Sequence, residues 1–442
     1  GAVGMSFPRY PAYKDSGGEW LGSVPSSWRR ARFKEVFRER EERSIAGEET
    51  LLSVSAYTGV TPRSEILDDG DHLSRAESLE GYKVCYPNDL VMNIMLAWNR
   101  GLGMSPLHGI CSPAYSVFQV VDGSSSRYLH YLLRSDEYIR YFKAFSAGVI
   151  DSRLRLYPDA FGALTTYLPS PEEQEQIACF LDRETAKIDA LVAEQEQLIT
   201  LLKEKRQAVI SHAVTKGLDP SVPMKDSGVE WLGDVPEHWD VKQIRQITQI
   251  LRGKFTHRPR NDPAFYDGDY PFIQTGDVTG AKRYITEFKQ TLNDQGAAVS
   301  KEFPRGTLVM TIAANIGDVA VLDFPAYFPD SIVGLVPGSS VDLMFLFYLM
   351  KSMKQPLEMN ATISTQMNLN AEQIGSLAAC CPPIEEQRQI ALHLDAVSLQ
   401  LDSLIDEAEA ATLLLQERRS ALISAAVTGQ IDVRGLAIKD AA

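Results

Sequence analysis

The sequence predicts an α/β (α+β) fold present in two copies, joined by two long antiparallel α-helices that form a coiled coil. Three observations support this fold class: a repeated block before each globular segment, a second repeated block after it, and two long stretches with heptad-spaced apolar residues. A repeat of this length indicates two copies of one structural unit, so a pseudo-two-fold tandem is expected.

The first repeated block is fifteen residues long. It reads KDSGGEWLGSVPSSW over Lys14–Trp28 and KDSGVEWLGDVPEHW over Lys225–Trp239, with eleven identical positions at a spacing of 211 residues. Its tryptophans could stack on bases, but they lie in the part that both copies keep. We therefore interpret them as structural packing at the base of each unit.

The second repeated block marks the long helices. Glu173, Gln174 and Gln176 to Ala178 recur 213 residues later, and the sequence Ala-Val-Thr ends both copies. Residues 40–160 and 250–370, between the matched blocks, have a similar length and apolar rhythm but few shared polar residues. The scaffold is therefore kept, while the inserts vary.

Pro171–Thr215 contains no internal Gly or Pro and opens with acidic residues, which predicts one helix of roughly 65 Å. Heptad-spaced apolar residues also fit a helix packed on its own globular domain. Two long helices with matching apolar stripes, or seams, favour instead the burial of each seam against the other. The predicted seam positions are 177, 181, 184, 188, 191, 195, 198, 202, 205 and 209, and 390, 394, 397, 401, 404, 408, 411, 415, 418 and 422.

The inserts are expected to be α/β domains, each ending with a helix, a loop and the long helix. The turn residues of Asn315–Asp318 predict a hairpin, and LVM in both copies predicts an equivalent core strand. The predicted strands are Tyr270–Thr275, Thr307–Ala314, Val319–Leu322, Leu90–Met92 and Leu308–Met310, and the predicted helices are Tyr128–Phe145 and Leu343–Met353.

These patterns predict a domain order along the chain. Gly1–Gly4 precede a methionine and are interpreted as a cloning scar. The predicted segments are 1–9 (tag remnant and lead), 10–168 (first globular domain), 169–216 (first long helix), 217–224 (linker), 225–381 (second globular domain), 382–428 (second long helix) and 429–442 (tail).

The composition does not indicate a membrane span, a disulfide framework or a zinc site. The five cysteines have no C-x-x-C spacing, so reduced thiols in a cytoplasmic protein are expected. A net charge of −14 is unfavourable for binding DNA, but the two long helices carry about −9 of it. A local basic cluster lies instead at Lys242, Arg245, Arg252, Lys254, His257, Arg258 and Arg260.

Motifs of catalysis are not evident. The sequence lacks a phosphate-binding G-x-x-x-x-G-K-[ST] loop, H-E-x-x-H and G-x-S-x-G. Cys381-Pro382-Pro383 lacks the flanking residues of an adenine-methyltransferase motif, and Glu204-Lys205 fits a solvated pair better than a nuclease centre. We expect no catalytic and no metal-binding residues.

The blocks K-D-S-G-x-E-W-L-G-x-V-P-x-x-W and P-x-x-E-Q-x-Q-I-A, together with the A-V-T helix end, resemble the DNA specificity subunit of type I restriction-modification enzymes. The resemblance covers essentially the whole chain, twice, in the same order. It implies that the inserts are target recognition domains, each reading one half of a bipartite site, and that the helices set their spacing. It also implies a non-catalytic subunit.

The same resemblance implies the partners: double-stranded DNA, two modification (methyltransferase) subunits and ATP-driven restriction subunits. S-adenosylmethionine, ATP and Mg would then be bound by those partners, and no cofactor by this chain. One alternative is a stand-alone DNA-binding protein that dimerises through its helices; another is a methyltransferase or nuclease with unrecognised motifs.

Base edges are read by polar side chains on loops that can enter a groove, and both inserts contain such loops. Because these loops differ between the copies, the two half-sites are expected to differ. The candidate residues are Tyr57, Thr58, Thr61, Arg63, Trp98, Asn99, Arg100, Ser152, Arg153 and Arg155 in the first insert, and Lys254, Thr256, His257, Arg258, Arg260, Gln274, Thr275, Asn315, Ser364, Thr365, Gln366 and Asn368 in the second.

Overall fold

The computed structural model describes residues 7–18, 20–56, 58–65, 78–150, 153–257, 261–313, 315–360 and 369–436. The chain divides into two compact units: Gly1–Glu196 with Ala410–Ala442, and Gln197–Glu409. The division falls inside both long helices, α5 (Pro171–Lys216) and α12 (Ile384–Val427). Across the described ranges, no helix is long and apolar enough to cross a membrane.

The globular part of the first unit contains twelve strands and four helices within the described residues. The strands are β1 (Tyr13–Asp15), β2 (Ser23–Pro25), β3 (Arg29–Arg32), β4 (Phe37–Glu39), β5 (Leu52–Ser55), β6 (Gly59–Pro62), β7 (Lys83–Cys85), β8 (Leu90–Asn93), β9 (Leu102–Met104), β10 (Gly109–Cys111), β11 (Tyr115–Val120) and β12 (Thr165–Leu168). The helices are α1 (Phe33–Val36), α2 (Ser126–Arg134), α3 (Asp136–Ala144) and α4 (Pro158–Ala163).

The second unit repeats this order with additions. Its strands are β13 (Met224–Asp226), β14 (Asp234–Pro236), β15 (Asp240–Gln243), β16 (Thr248–Arg252), β17 (Tyr266–Phe272), β18 (Tyr284–Ile285), β19 (Gln290–Leu292), β20 (Glu302–Phe303), β21 (Leu308–Thr311), β22 (Val319–Leu322), β23 (Ala326–Tyr327), β24 (Ile332–Pro337) and β25 (Ala378–Cys381). Its helices are α6 (Ile244–Ile247), α7 (Thr275–Gly280), α8 (Asp294–Ala298), α9 (Leu343–Ser352), α10 (Lys354–Asn360) and α11 (Ala371–Ser376).

The repeated tryptophan block forms the same two-stranded hairpin in both units. Strand β1 pairs antiparallel with β2, and β13 pairs with β14 in the equivalent register. The last tryptophan of each block, Trp28 or Trp239, is at most 1% exposed and lies in the main core of its unit. Burial confirms structural packing for these two tryptophans. The first tryptophan of each block, Trp20 or Trp231, is half-buried and packs against the same core.

In each unit, a strand that the sequence did not predict pairs the end of the insert with the strand that precedes it. Strand β12 pairs with β3, and β25 pairs with β15, in both cases directly before a long helix. The prediction that each insert ends with a helix, a loop and the long helix was therefore wrong. The two edges of each insert are held together by main-chain hydrogen bonds, so it forms a closed module.

The central sheets have corresponding strand orders. The order is β4-β11-β8-β9 in the first unit and β16-β24-β21-β22-β18 in the second. Strands β8 and β21 are fully buried and both carry the Leu-Val-Met sequence, which confirms that they are equivalent core strands. The predicted hairpin is confirmed, because β21 and β22 pair antiparallel with Leu308 opposite Val321.

Three predicted elements have different bounds. The strand predicted over Thr307–Ala314 runs from Leu308 to Thr311, and Ala314 lies outside the described residues. The strand predicted over Tyr270–Thr275 runs from Tyr266 to Phe272, and Thr275 is the first residue of α7. The helix predicted over Tyr128–Phe145 is two helices, because the extended backbone of Ser135 (ψ 154°) ends α2 and caps α3. The single helix α9 confirms the prediction for Leu343–Met353 to within one residue.

The long helices confirm the predicted lengths, and they run antiparallel inside each unit. In the second unit, Leu202 of α5 packs against Leu401 and Ile405 of α12, while the end of α5 shares a core with the start of α12. In the first unit, Arg419 of α12 donates to Asp189 of α5 at 2.8 Å. The apolar seams therefore face each other.

The heptad period is confirmed, but the predicted phase is wrong by one residue at several alternate positions in the middle of the helices. Leu404 was assigned to the seam and is 42% exposed, whereas the neighbouring Ile405 is 6% exposed. Likewise, Leu198 is 43% exposed, and the half-buried Ile199 packs on the seam cluster. The helices thus have apolar side chains on their outer surface as well as in the seam.

The two buried tryptophans differ in one hydrogen bond, which gives a test of the fold. Trp28 Nε1 donates to the buried carboxylate of Glu173 at 3.0 Å, whereas Trp239 Nε1 is buried and has no partner among the described residues. Replacement of either tryptophan by phenylalanine removes a similar side-chain volume. We expect Trp28→Phe to lower the free energy of unfolding by about 1 kcal/mol more than Trp239→Phe, because only the first removes one of the two buried hydrogen bonds, from Trp28 and Tyr10, that Glu173 Oε1 accepts.

Urea unfolding of both variants beside the parent chain measures this difference. Hydrogen exchange of each unit assigns the loss to the unit that carries the change. Equal losses in the two variants would show that the Trp28–Glu173 hydrogen bond contributes no net stability.

Candidate nucleic-acid interface

The candidate residues of the first unit lie on three segments that the fold brings together. The first segment joins β5 to β6, the second joins β8 to β9, and the third follows α3. Arg134 at the end of α2 donates to the carbonyl oxygens of Ala56 (2.8 Å) and Arg100 (2.9 Å), so the first two segments are neighbours. The third is attached by the main-chain hydrogen bond from Leu156 to Ile94 (2.9 Å).

Three of these candidates are exposed, and their side chains extend into solvent. Thr58 follows β5, Asn99 lies at the end of the loop between β8 and β9, and Arg153 lies on the third segment. Within the described part of the first unit, none of these three side chains has a hydrogen-bond or ion-pair partner. They are therefore available to an external ligand.

Other candidates on the same segments have structural contacts. Trp98 Nε1 donates to Met95 O (2.9 Å), and Lys143 lies over the Trp98 ring at 5.1 Å. Arg100 adopts a left-handed backbone conformation (φ 58°) and forms an ion pair with Asp136. These contacts hold the loop between β8 and β9 in one conformation, with Asn99 at its surface.

The remaining described candidates of the first unit are only partly exposed. Thr61 Oγ1 and Arg63 Nε are buried and have no hydrogen-bond partner among the described residues. Arg155 pairs with Ala147 through two main-chain hydrogen bonds of 2.8 and 2.9 Å. Because unsatisfied buried donors are rare, Thr61 and Arg63 mark a place where a ligand could supply the missing partner.

In the second unit, the segments after β16 and β17 meet at one strand. Lys254 N donates to Phe328 O (3.1 Å), and Ile273 N donates to Tyr327 O (2.8 Å). Lys254 and Gln274, which follows Ile273, therefore both lie next to the pair Tyr327–Phe328. The Lys254 side chain is exposed. Within the described part of the second unit, its ammonium group has no ion-pair partner.

The other described candidates of the second unit are held by neighbours. Thr256 Oγ1 donates to Val299 O (3.2 Å), and His257 stacks on Phe265 with ring centroids 3.9 Å apart. Gln274 Nε2 donates to Gln290 Oε1 (2.9 Å), and Thr275 begins α7.

Asn315 is exposed in the turn between β21 and β22, where its Nδ2 approaches Thr279 Oγ1 (3.4 Å). This turn corresponds to the loop that holds Trp98, Asn99 and Arg100 in the first unit. Both copies therefore present polar residues at the same strand connection. The candidates Tyr57, Ser152, Arg258, Arg260, Ser364, Thr365, Gln366 and Asn368 lie outside the described residues.

A joint that the sequence analysis missed attaches each insert to a long helix. Tyr131 on α2 donates to Asp182 on α5 (2.7 Å), and Tyr348 on α9 donates to Asp395 on α12 (2.6 Å). The two aspartates are 213 residues apart, which is the spacing of the second repeat. That spacing is the signal that could have revealed the joint.

An arginine reinforces each joint, but it comes from a different place in the two copies. Arg127 on α2 forms an ion pair with Asp182 in the first unit. In the second unit, Arg283 between α7 and β18 pairs with Asp395 at 2.6 Å. These side chains hold each insert against its long helix. They lie on elements other than the loops that carry the exposed candidates.

The described residues contain no group of three or more His, Cys, Asp or Glu side chains that could hold a metal ion. The features described above are instead exposed polar side chains on loops of a rigid α/β module. Such loops suit hydrogen bonding to base edges.

Comparison with known proteins identifies the family. The model of the type I restriction modification DNA specificity domain matches residues 236–410. The chain is also 24% identical over 311 residues to the predicted MjaX type I restriction enzyme specificity subunit of Methanocaldococcus jannaschii, covering 70% of this chain and 68% of that protein. Residues 236–410 belong to the DNA specificity domains of type I restriction-modification systems, and most of the chain is similar to their specificity subunits.

Other relatives agree with this assignment. The MjaIX specificity subunit of the same organism is 27% identical over 168 residues, or 37% of this chain and 38% of that protein. The EcoBI specificity subunit of Escherichia coli is 22% identical over 371 residues, covering 80% and 75% of the two chains. Recognition of specific DNA sequences in a restriction-modification system is therefore the function of this specificity subunit.

Solved structures show the same fold at low sequence identity. A chain from a structure of complex assembly in the type I R-M system aligns over 91% of this subunit and 98% of its own length, with a TM-score of 0.71 and 15% identity. The HsdS subunit from Thermoanaerobacter tengcongensis aligns over 92% and 98%, with a TM-score of 0.51 and 17% identity. The fold class predicted from the sequence is confirmed.

Proposed function

We propose that each unit of this specificity subunit reads one half of an asymmetric, bipartite sequence in double-stranded DNA, and that the subunit catalyses no reaction itself. The observation that carries this proposal is the contrast between the two copies. Their hairpins, base strands and Tyr–Asp joints correspond, whereas the loops with exposed polar residues differ. Different loops on one scaffold read different bases.

In the proposed arrangement, the two long helices set the length of the unread spacer. Both helices pass without interruption from one unit into the other, so the number of unread base pairs is fixed. Half-sites read from one face of B-DNA lie about 10 bp apart, or a multiple of that.

The outer faces of the helices are the proposed docking surface for two modification subunits. Large apolar side chains on a soluble helix pair mark a protein–protein interface when they are numerous and exposed. Those exposed here by more than 40% are Leu191, Leu198, Leu201, Leu392, Leu399, Leu404, Leu413 and Leu414. The modification subunits would bind S-adenosylmethionine and the flipped target base, and restriction subunits would bind ATP and Mg.

Insert exchange tests the proposal. We expect replacement of residues 250–370 by the corresponding insert of another specificity subunit to change one half of the methylated sequence and leave the other half unchanged. The measurement is sequencing of methylated adenines in cells that express the complete system. A change in both halves would contradict independent reading by the two units.

DNA binding by the purified chain distinguishes this proposal from a stand-alone DNA-binding protein. We expect weak sequence preference for the chain alone and strong preference after addition of modification subunits. Strong preference without partners would support the alternative. Methyl transfer to DNA by the isolated chain would instead identify it as a methyltransferase.

A further inference from the structure

One arginine in the first unit contacts the main chain of two of the three loops that carry exposed candidates. Arg134 is the last residue of α2, and its guanidinium donates to four carbonyl oxygens. Two of them, on Ser55 (3.3 Å) and Ala56 (2.8 Å), lie directly before the turn that contains Thr58. The other two, on Arg100 (2.9 Å) and Leu102 (2.8 Å), lie one and three residues after Asn99.

The contact between Arg134 and the second loop runs in both directions. Arg134 Nη1 donates to Arg100 O, and Arg100 Nε donates to the carbonyl oxygen of Arg134 at 3.3 Å. Arg100 is also paired with Asp136 at the start of α3. The loop between β8 and β9 is therefore fixed to the junction of α2 and α3 at several points.

The first loop lies equally close to the end of α2. Gly59, at φ +83°, begins β6, and a Cβ atom there would lie 2.9 Å from the His130 ring and 3.8 Å from Arg134 Nη1. A side chain at this position would push the turn away from the helix. Glycine allows the turn to sit directly on His130 and Arg134.

We propose that Arg134 is a positioning residue that sets the distance between the Thr58 and Asn99 loops and thereby determines base specificity in one half-site without contacting DNA. This inference rests on the proposed reading of DNA by these loops. Two loops that read neighbouring bases need a fixed separation, and a planar guanidinium that binds four carbonyls supplies it. The ammonium group of lysine has three donors and cannot span the same four acceptors.

The second unit has a different residue at the equivalent position. Helices α2 and α9 correspond, since Ser135 and Ser352 both donate to a carbonyl three residues earlier, and Lys351 therefore matches Arg134. Lys351 lies over the Phe347 ring at 5.3 Å. Arg134 thus belongs to the part of the scaffold that differs with the loops it supports.

Arg134→Lys tests the inference in the complex with modification subunits. The complex is used to select DNA from a library in which both half-sites are randomised. We expect discrimination to fall about tenfold at one or more positions of a single half-site, since each lost base contact reduces selectivity by that order. The other half-site should stay unchanged. The matched control is Arg140→Lys, an arginine on α3 with a 75% exposed side chain, which should select the parental sequence.

Asp136→Asn provides a second variant if Arg134→Lys fails to assemble. It removes the charge partner of Arg100 and should weaken discrimination only at the positions read by the Asn99 loop. Parental selectivity in both half-sites for an assembled Arg134→Lys complex would overturn the positioning role. If the parental complex itself selects no two-part sequence, the proposed function fails instead, and the two failures are thus distinguishable.

Discussion

Replacement of Leu401 by alanine is expected to lower the free energy of unfolding of the second unit by about 2–5 kcal/mol, as for other buried leucines. Leu401 is 4% exposed and packs in the helix seam with Leu202 and Ile405. Removal of its isobutyl group leaves a cavity between two long helices that cannot easily close. Urea unfolding of the full chain, followed by hydrogen exchange in α5 and α12, measures the loss.

Leu399 provides the matched control for this prediction. It lies two residues earlier on the same helix and is 73% exposed, so Leu399→Ala should change the free energy of unfolding by less than about 0.5 kcal/mol. Both changes remove the same atoms, and both sites have the same helix propensity. Similar losses for the two variants would show that the heptad seam does not stabilise the unit.

The seam also shows how far the sequence predicts this fold. Apolar spacing gives the correct period of the helices, because every heptad repeat supplies at least one large aliphatic residue. It gives the wrong phase at some alternate positions because two aliphatic residues are adjacent there, as Leu404 and Ile405 are, and spacing alone does not select the buried one. Arg206 and Asp402 face each other across the seam as an ion pair, and no rule based on apolar residues selects them.

The missed strands have a similar physical cause. Strand β25 has the sequence Ala-Ala-Cys-Cys, and its partner β15 is Asp-Val-Lys-Gln, 138 residues earlier. Neither segment has the β-branched or alternating pattern that predicts a strand. Pairing over such a separation is determined by the closed shape of the insert, which local sequence does not encode.

The sequence predicted which loops carry the candidate residues. It did not predict which side chains from other elements contact those loops. Polar residues between predicted strands indicated loops such as those of Asn99 and Asn315, which the structure places at equivalent strand connections. Sequence alone did not distinguish Asn99, with its exposed amide, from Arg100, which is paired with Asp136. That distinction depends on residues from another helix.

A second large effect is expected from pH. His130 is largely buried beneath the loops of the first unit, and burial together with nearby Arg134 lowers its pKa to about 4. Arg419 acts in the same direction, whereas Asp182 acts against it. The folded unit therefore disfavours the imidazolium ion, which the unfolded chain forms near pH 6.5.

The sign of the pH dependence follows from this lowered pKa. The stability associated with neutral His130 is complete above pH 6.5, falls as the pH decreases from 6.5 toward 4, and is constant below that. The total loss is up to about 3 kcal/mol, because each unit of pKa difference corresponds to about 1.4 kcal/mol. We expect His130→Gln to remove this part of the loss.

Unfolding free energies at pH 7 and pH 4.5 test the prediction for the parent chain and the variant. The parent should lose up to about 3 kcal/mol more between these pH values than His130→Gln does. Hydrogen exchange in the second unit serves as an internal control and should have the same pH dependence in both proteins. Parallel losses in the first unit of the two proteins would show that protonation of His130 does not destabilise the folded state.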